Sequence, residues 1–158
     1  MNGRGFFLPM EIEKAIKQTQ FRNAYQKAAI NLLYTSSWLV GQQHVFFKQH
    51  GITNQQFNIL RILRGQFPNK ISGADIKARM LDQNSDVSRL LDRLIIKKLI
   101  IKSQCPNDKR AADIAITESG LELLKKIDRE IENLDGLLSN LTKEEANQLS
   151  DLLDKSRG

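Results

Sequence analysis

The sequence predicts a mostly α-helical fold that carries one small β-hairpin. Apolar residues recur at the helical spacing of three and four along most of the 158 residues. Near the middle, two apolar runs at residues 99–102 and 113–117 flank the turn-forming stretch CPNDKRA. Two short helices are expected immediately before these runs. The order of helix, turn, helix and basic hairpin predicts a winged helix-turn-helix.

The first part of the chain is expected to form two helices. A short helix at residues 11–18 follows Pro9, and a long helix at residues 21–50 ends at Gly51. The long helix spans roughly 45 Å and carries more apolar surface than one small domain can cover. We therefore expect a second copy of the chain to cover it.

Two capping boxes mark the next helix starts. Thr53 with Gln56 opens a helix at residues 54–64, and Ser72 with Asp75 opens the first helix of the helix-turn-helix pair. In each box the hydroxyl accepts a hydrogen bond from the backbone three residues on, and the later side chain bonds back.

The second helix of the pair follows the turn LDQNS, and we call it the recognition helix. Asn84 or Ser85 is expected to cap it, with Asp86 in the first turn, where a carboxylate complements the helix dipole. The apolar face, which should meet a core, is Val87, Leu90, Leu91, Leu94 and Ile95. The opposite face carries Asp86, Ser88, Arg89, Asp92, Arg93 and Lys97. A helix with one apolar face and one face of hydrogen-bonding side chains suits the DNA major groove.

Lys98 follows the recognition helix, at a position where a left-handed backbone normally requires Gly or Asn. Two alternatives are open. Either Lys98 has a positive φ, at a cost of about 1 kcal/mol, or the helix continues and the next strand starts later.

After the hairpin, Thr117 is expected to cap a helical region whose apolar stripe runs almost without interruption to Asn140. Thr142 with Glu145 then forms a third capping box, which opens a last helix ending near Asp154.

Charge is distributed unevenly along the chain. Residues 1–69 carry 8 basic and 2 acidic side chains, residues 70–117 carry 10 and 6, and residues 118–158 carry 6 and 10. The three parts therefore have net charges of +6, +4 and −4. A basic field attracts polyanions, which favours nucleic acid as the partner of the first two parts.

Several function classes find no support in the residues. The chain has no run of 18 apolar residues, so no membrane span is expected. The single cysteine cannot form an internal disulfide, which fits a reducing bacterial cytoplasm. His44 and His50 are six residues apart with no cysteine or acid cluster beside them, so no metal site is expected. No nucleophile set, phosphate loop or GxGxxG appears, so neither an enzyme nor a cofactor is expected.

Four consecutive fragments resemble the MarR family of transcription regulators. They are TNQQFNILRIL, ISGADIKARM, SDVSRLLDRLIIKKLI and NDKRAADIAITESG. The resemblance extends over roughly residues 52–124, and its order and spacing are more specific than any one fragment. The chain departs from the family at Lys98, where Gly is usual. The resemblance implies one domain spanning residues 1–158, in which helices at residues 1–52 and 121–158 form a dimer platform around a DNA-binding lobe at residues 53–120.

The expected partners are therefore double-stranded DNA and a second copy of the chain. The candidate DNA-binding residues of the helix-turn-helix are Ser85, Asp86, Ser88, Arg89, Arg93, Lys77 and Arg79. Arg89 suits a guanine edge or a phosphate. Arg93 suits DNA and a local acid such as Asp92 equally well. Asp86 repels phosphate, so a helix-dipole role fits it at least as well as a base contact.

In the hairpin, Arg110 matches the family's minor-groove arginine. A narrow minor groove concentrates negative potential and attracts an inserted arginine. Asp108 would hold the Arg110 guanidinium in place, and Lys109 would add a phosphate contact. The alternative is a surface ion pair, worth less than about 1 kcal/mol.

The resemblance also implies a repressor released by a small aromatic or lipophilic effector. Candidate pocket residues are Tyr34, Trp38, His44 and Phe57, although the two larger aromatics suit simple packing in a dimer core even better. Cys105 lies beside basic residues that could activate a thiol for redox sensing. Relatives that sense peroxide carry their cysteine near the N-terminus, so an incidental cysteine is the simpler interpretation.

One rival function belongs to a different class. A winged helix can serve as a protein-protein interaction module, in which Lys109 and Arg110 would bind an acidic partner. Steep salt dependence of duplex binding would favour the DNA-binding regulator, because each neutralised phosphate releases counterions.

Overall fold

The computed structural model describes residues 10–104 and 112–158. The helices in these ranges are α1 (Ile12–Ala15), α2 (Ala24–Gln49), α3 (Asn54–Arg64), α4 (Gly73–Arg79), α5 (Val87–Ile96), α6 (Glu118–Asp128), α7 (Glu132–Asp135) and α8 (Lys143–Arg157). The strands are β1 (Ile71–Ser72), β2 (Ile100–Gln104) and β3 (Ala112–Ile116). The predicted class, a mostly helical winged helix-turn-helix, is confirmed.

The chain divides into two compact units, with the boundary after Gly41 inside α2. The first unit contains α1 and the start of α2, and a Lys27–Glu13 ion pair joins these two helices. The first helix, α1, covers four residues and is therefore shorter than the helix predicted at residues 11–18. Large apolar side chains on this part of α2 are exposed, among them Tyr25 at 86% and Leu33 at 71%.

The second unit, from Gln42 onward, contains the winged helix-turn-helix. Its core gathers apolar side chains from α3, α4, α5, α6 and the sheet. The side chains buried most completely are Ile59, Leu60, Leu63, Ile76, Leu94, Ile100, Ile114, Leu124 and Ile127. The apolar stripes of α3, α5 and α6 therefore face one core, as the helical spacing requires.

The sheet has three antiparallel strands in the order β1-β3-β2. Two of these strands form the predicted hairpin, with Lys102 opposite Ile114 and Ser103 opposite Asp113. The third strand, β1, was not predicted. It has only two residues, and the second, Ser72, is also the N-cap of α4, so the sequence shows no alternating strand pattern there.

The three predicted capping boxes are present at the starts of α3, α4 and α8. The predicted cap of the recognition helix was wrong. Asp86, rather than Asn84 or Ser85, is the N-cap, and its carboxylate accepts a hydrogen bond from Arg89 N at 3.1 Å. The two preceding residues belong to a turn that is held by other contacts.

The recognition helix, α5, ends as the first alternative for Lys98 requires. Lys98 has φ +58°, its N–H donates to Ile95 O at 2.8 Å, and Leu99 N donates to Leu94 O at 3.1 Å. These two bonds define a Schellman motif with Lys98 at the left-handed position. The strand starts at Ile100, one residue later than predicted.

A tight corner joins β3 to α6. The Thr117 hydroxyl donates to Lys98 O at 2.8 Å and accepts from Gly120 N at 3.1 Å, which confirms Thr117 as the cap of α6. A Cβ on Gly120 would lie 2.3 Å from the Leu99 carbonyl oxygen. Only glycine fits at this position without a shift of the backbone.

The region after α6 corrects a prediction. The apolar stripe suggested near-continuous helix to Asn140, but α6 ends at Asp128 and is followed by the four-residue α7 and a 3₁₀ turn at Gly136–Leu138. The last helix, α8, has no buried residue, and its Leu152 is 57% exposed. Among the described residues, no helix is both long and apolar enough to cross a bilayer.

Candidate nucleic-acid interface

The recognition helix α5 separates an apolar face from a polar one. Val87, Leu91 and Leu94 are buried, while the polar side chains Ser88, Arg89, Asp92 and Arg93 are exposed. The helix therefore presents hydroxyl, guanidinium and carboxylate groups to solvent along one side. This pattern of donors and acceptors is the kind that reads base edges in a major groove.

Asp86 and Arg89 form a local pair at the start of α5. The Arg89 Nε atom lies 3.9 Å from Asp86 Oδ2, and both side chains are mostly exposed. A pair this long and this exposed contributes little stability. Arg89 can therefore leave Asp86 for a base edge or a phosphate at small cost, whereas Asp86 is already used as the helix cap.

The turn before α5 is organised by Asp82. The Asp82 carboxylate accepts a hydrogen bond from the Ser85 hydroxyl at 2.8 Å and another from Asn84 N at 3.0 Å. These bonds, with a smaller contribution from Gln55, hold the pKa of Asp82 below its ordinary value. The ionised carboxylate thus holds the turn that precedes the recognition helix.

A second anchor of this turn comes from α3. The backbone N–H of Leu81 donates to Asn58 Oδ1 at 2.9 Å, and Gln83 Nε2 donates to the Met80 carbonyl at 2.9 Å. Sequence reasoning missed both Asp82 and Asn58. Leu81 and Asn58 are 23 residues apart, so no local pattern signals the contact.

Ser85 is placed differently from Ser88, although both were predicted to reach DNA. A serine hydroxyl has one proton to donate, and in Ser85 that proton is directed to Asp82. Ser88 is exposed on the polar face of α5. Ser88 is therefore the hydroxyl better placed to donate to a phosphate, while Ser85 holds the turn.

The helix α4 supplies further positive charge beside α5. Lys77 and Arg79 lie in its last turn and are exposed. At its start, hydrogen bonds from the Ser72 side chain and backbone lower the pKa of Asp75. The Ser72 hydroxyl donates to Asp75 Oδ2 at 2.6 Å, so this acid is engaged in capping the helix.

Two lysine side chains lie at the stem of the wing, which is formed by β2 and β3. Lys102 lies on β2 and is exposed. Lys70, just before β1, donates from Nζ to Ser103 Oγ at 3.0 Å. The predicted wing residues Asp108, Lys109 and Arg110, and also Cys105, lie outside the described residues.

The sequence profile of the MarR family matches residues 52–112, which contain α3, α4, α5 and the start of the wing. A crystal structure of a MarR transcription factor from Planctomyces limnophilus is similar in fold, with a TM-score of 0.67 and 28% identity over 85% of this chain and 98% of that one. Over residues 52–112 the chain therefore resembles the MarR family. The proteins that it matches are transcription regulators and not enzymes, in agreement with the expectation from the sequence, and the winged helix-turn-helix fold is shared with them.

Two further comparisons support the assignment. The S. aureus MepR–DNA complex matches with a TM-score of 0.72 and 26% identity, over 87% of this chain and 97% of MepR. The transcriptional regulator YkoM of Bacillus subtilis is 31% identical over 80 residues. That alignment covers about half of YkoM, 51% of its length. The MarR-family relationship is thus seen in both sequence and fold.

The candidate effector residues are divided between the two units. Tyr34 and Trp38 belong to the first unit and are 46% and 41% exposed. His44, on the later part of α2, is exposed. Phe57 is half-buried, and its ring stacks on Phe47 with centroids 4.2 Å apart. One face of Phe57 is therefore already used within the core of the second unit.

No three His, Cys, Asp or Glu side chains within residues 10–104 and 112–158 are placed to share a metal ion. His50 instead poses a packing problem. Its side chain is 3% exposed, and the nearest acid, Glu130, has Oε2 3.6 Å from Nε2, beyond hydrogen-bond range. Neither ring nitrogen has a hydrogen-bond partner among the described residues. A buried polar group without a partner destabilises the fold.

Proposed function

We propose that this chain is a homodimeric repressor that binds a near-palindromic operator and is released by a small effector. The observation that carries the proposal is the exposed polar face of α5, held by the Asp82 turn and the Asp86 cap. The MepR structure, which contains DNA, supports the same use of the helix here. Because the target is the operator, we propose a cytoplasmic location.

The flanking helices support the dimer. On the first unit, α2 exposes large apolar side chains such as Leu33. On the second unit, α8 buries none of its 15 residues and exposes Leu149 and Leu152. Helices that expose this much apolar surface need a partner to cover it. A second copy of the chain, with residues 1–52 and 121–158 as its platform, would provide that cover.

A dimer would place two recognition helices on one side of a duplex. Half-sites should then be separated by about one helical turn, roughly 34–36 Å. Within each half-site, Arg89 and Ser88 would contact bases or phosphates, with Lys77 and Arg79 on the backbone. Arg93 would add to these contacts or pair with a local acid.

The wing would complete each half-site. Arg110 would enter the minor groove, Asp108 would orient its guanidinium, and Lys109 would bind a phosphate. Arg110→Ala should therefore weaken operator binding strongly while leaving the unfolding transition nearly unchanged.

The test starts by selecting tightly bound duplexes from a random pool and measuring their affinity by fluorescence anisotropy. Wild type should bind with a steep salt dependence, and Arg110→Ala should lose most of its affinity, whereas Lys143→Ala, on the platform, should lose none. Wild-type affinity in Arg110→Ala would refute the wing assignment. Failure of wild type to bind any duplex at low salt would refute the function and favour the protein-protein interaction module.

Release is tested on the same complex. Small aromatic and lipophilic compounds should dissociate the operator, and Trp38→Ala should need a higher concentration of the active compound. Cys105→Ser separates the redox alternative, because peroxide should release wild type and this variant equally if the cysteine is incidental. Peroxide release of wild type alone would make Cys105 the sensor.

A further inference from the structure

The two lysines at the wing stem belong to opposite faces of the sheet. Successive residues of a strand point to opposite faces, and residues directly opposite on neighbouring strands share a face. Lys102 is opposite Ile114, which is 1% exposed. Lys102 therefore projects from the inner face of the sheet, the face that carries the core residues Ile100 and Ile114. Lys102 is nevertheless exposed, and it lies on an edge strand of the sheet.

The inner face is also the face on which the recognition helix lies. A Cβ built on Gly73 would lie 3.8 Å from Ile114 Cδ1 and 3.9 Å from Leu91 Cδ1. Leu91 belongs to α5, so the recognition helix and the inner face of β3 meet at α4. Lys102, opposite Ile114, thus lies on the α5 side of the sheet, two residues further along β2 than Ile100.

Duplex geometry gives this position a ligand. When a helix occupies the major groove and a wing enters the adjacent minor groove, one sugar-phosphate strand separates the two grooves. In the proposed mode of binding, that strand would pass beside α5 along the inner face of the stem. We propose that Lys102 binds a phosphate of this strand. The inference rests on the proposed mode of DNA binding and adds a contact to it.

The charge of Lys102 is available for this contact. Among the described residues, no carboxylate lies within 4.0 Å of its ammonium group. Lysine is a point charge on a flexible stem, so it follows a phosphate without demanding one geometry. The contact should therefore add affinity and position the duplex but carry little sequence information.

Lys70 provides a matched control in the same sheet. Its ammonium donates to Ser103 Oγ at 3.0 Å. Ser103 is the neighbour of Lys102 on β2 and is opposite Asp113, so it belongs to the outer face. Lys70 thus has the same charge as Lys102 and lies close to it in the fold, but on the side of the sheet away from α5. A general effect of net charge would be equal for both lysines.

The experiment compares Lys102→Gln, Lys102→Arg and Lys70→Gln with wild type on one selected operator, between about 50 and 200 mM salt. Loss of one phosphate contact should reduce the slope of log affinity against log salt by about 0.9. We expect this reduction for Lys102→Gln, the wild-type slope for Lys102→Arg and Lys70→Gln, and unchanged preference among operator sequences in all three. Matching thermal melts establish that the variants are folded.

Single neutral methylphosphonates placed along the operator then locate the contact. One substitution on the strand between the two grooves should weaken wild type and leave Lys102→Gln unaffected. A wild-type slope in Lys102→Gln, or an equal reduction in Lys70→Gln, would refute the contact while the proposed function stands. Absence of duplex binding by wild type would refute the proposed function, and this inference with it.

Discussion

The same helix-ending motif occurs twice in this chain with different residues at its left-handed position. After α2, Gly51 has φ +71°, and Ile52 N donates to Phe47 O at 3.2 Å. After α5, Lys98 has φ +58°, and Leu99 N donates to Leu94 O at 3.1 Å. The hydrogen bonds match, so the two sites differ mainly in whether the residue carries a Cβ. Reciprocal substitutions can therefore measure the cost of that atom.

Lys98→Gly should raise the free energy of unfolding. A left-handed conformation costs an L-residue with a Cβ about 1–2 kcal/mol, and glycine removes that cost. Glycine also makes the unfolded chain more flexible, which offsets about 0.5–1 kcal/mol of that stabilisation. The net stabilisation should be roughly 0.5–1 kcal/mol. Gly51→Ala should do the opposite by a similar amount, because no described atom lies within 4 Å of the added Cβ and the cost is confined to the backbone.

Urea denaturation at one fixed protein concentration measures both effects through the transition midpoint. Lys98→Ala is the control, since it removes the charge and the long side chain but keeps the Cβ, and it should unfold near the wild-type midpoint. Equal stabilisation by Lys98→Ala and Lys98→Gly would show that the lysine side chain, not the backbone conformation, is unfavourable. No stabilisation by Lys98→Gly would refute the argument from φ.

Three other substitutions test separate features of the fold. Gly120→Ala should destabilise the chain by about 3 kcal/mol, because its Cβ would approach a backbone carbonyl oxygen to 2.3 Å. Gly136→Ala is the control, since its Cβ meets no described atom within 4 Å, and it should not be destabilising. Thermal melts compare the two variants. His50→Phe should stabilise the fold by roughly 1–2 kcal/mol in urea denaturation. It removes two buried ring nitrogens that have no hydrogen-bond partner among the described residues. Lower stability of the variant would show that the imidazole makes hydrogen bonds in solution. Ser85→Ala should raise the pKa of Asp82 in a carboxyl NMR titration, because the Ser85 hydroxyl is the main cause of its depression. A depressed pKa stabilises the folded chain at neutral pH and loses that effect as the pH falls through the acid range, so wild type should lose more stability on acidification than Ser85→Ala.

Most of the helix starts could be predicted because their signals are local. In each capping box, such as Thr53 with Gln56, a hydroxyl and a backbone N–H only three residues apart satisfy each other. The positive φ at Lys98 was one of two predicted alternatives for the same reason, since a Schellman motif involves only the last turn of a helix. Local bonds of this kind depend little on the rest of the fold.

The elements that were missed depend on residues distant in the chain. The strand β1 exists because Ile71 and Ser72 pair with Ile114 and Asp113 on β3, and two residues alone give no strand pattern. The break after α6 interrupts an apolar stripe that periodicity alone would continue. Helical periodicity shows which side chains can share a face, but it does not show whether the backbone hydrogen bonds continue between them.

The recognition helix shows where this limit affects the site. Its polar face could be predicted from spacing, yet the turn that positions it is held by Asn58 on α3 and by the carboxylate of Asp82. Those contacts explain why Asp86, and not Ser85, became the cap, because the Ser85 hydroxyl is already bonded to Asp82. The sequence thus identifies the side chains that we propose to meet DNA, whereas Asn58 on α3 helps to fix the turn that precedes their helix. Removing a negative charge near DNA would by itself strengthen operator binding. Asp82→Asn should nevertheless weaken operator binding, because the turn before the recognition helix loses its anchor. Stronger binding by Asp82→Asn in the anisotropy assay would show that the turn needs no such anchor.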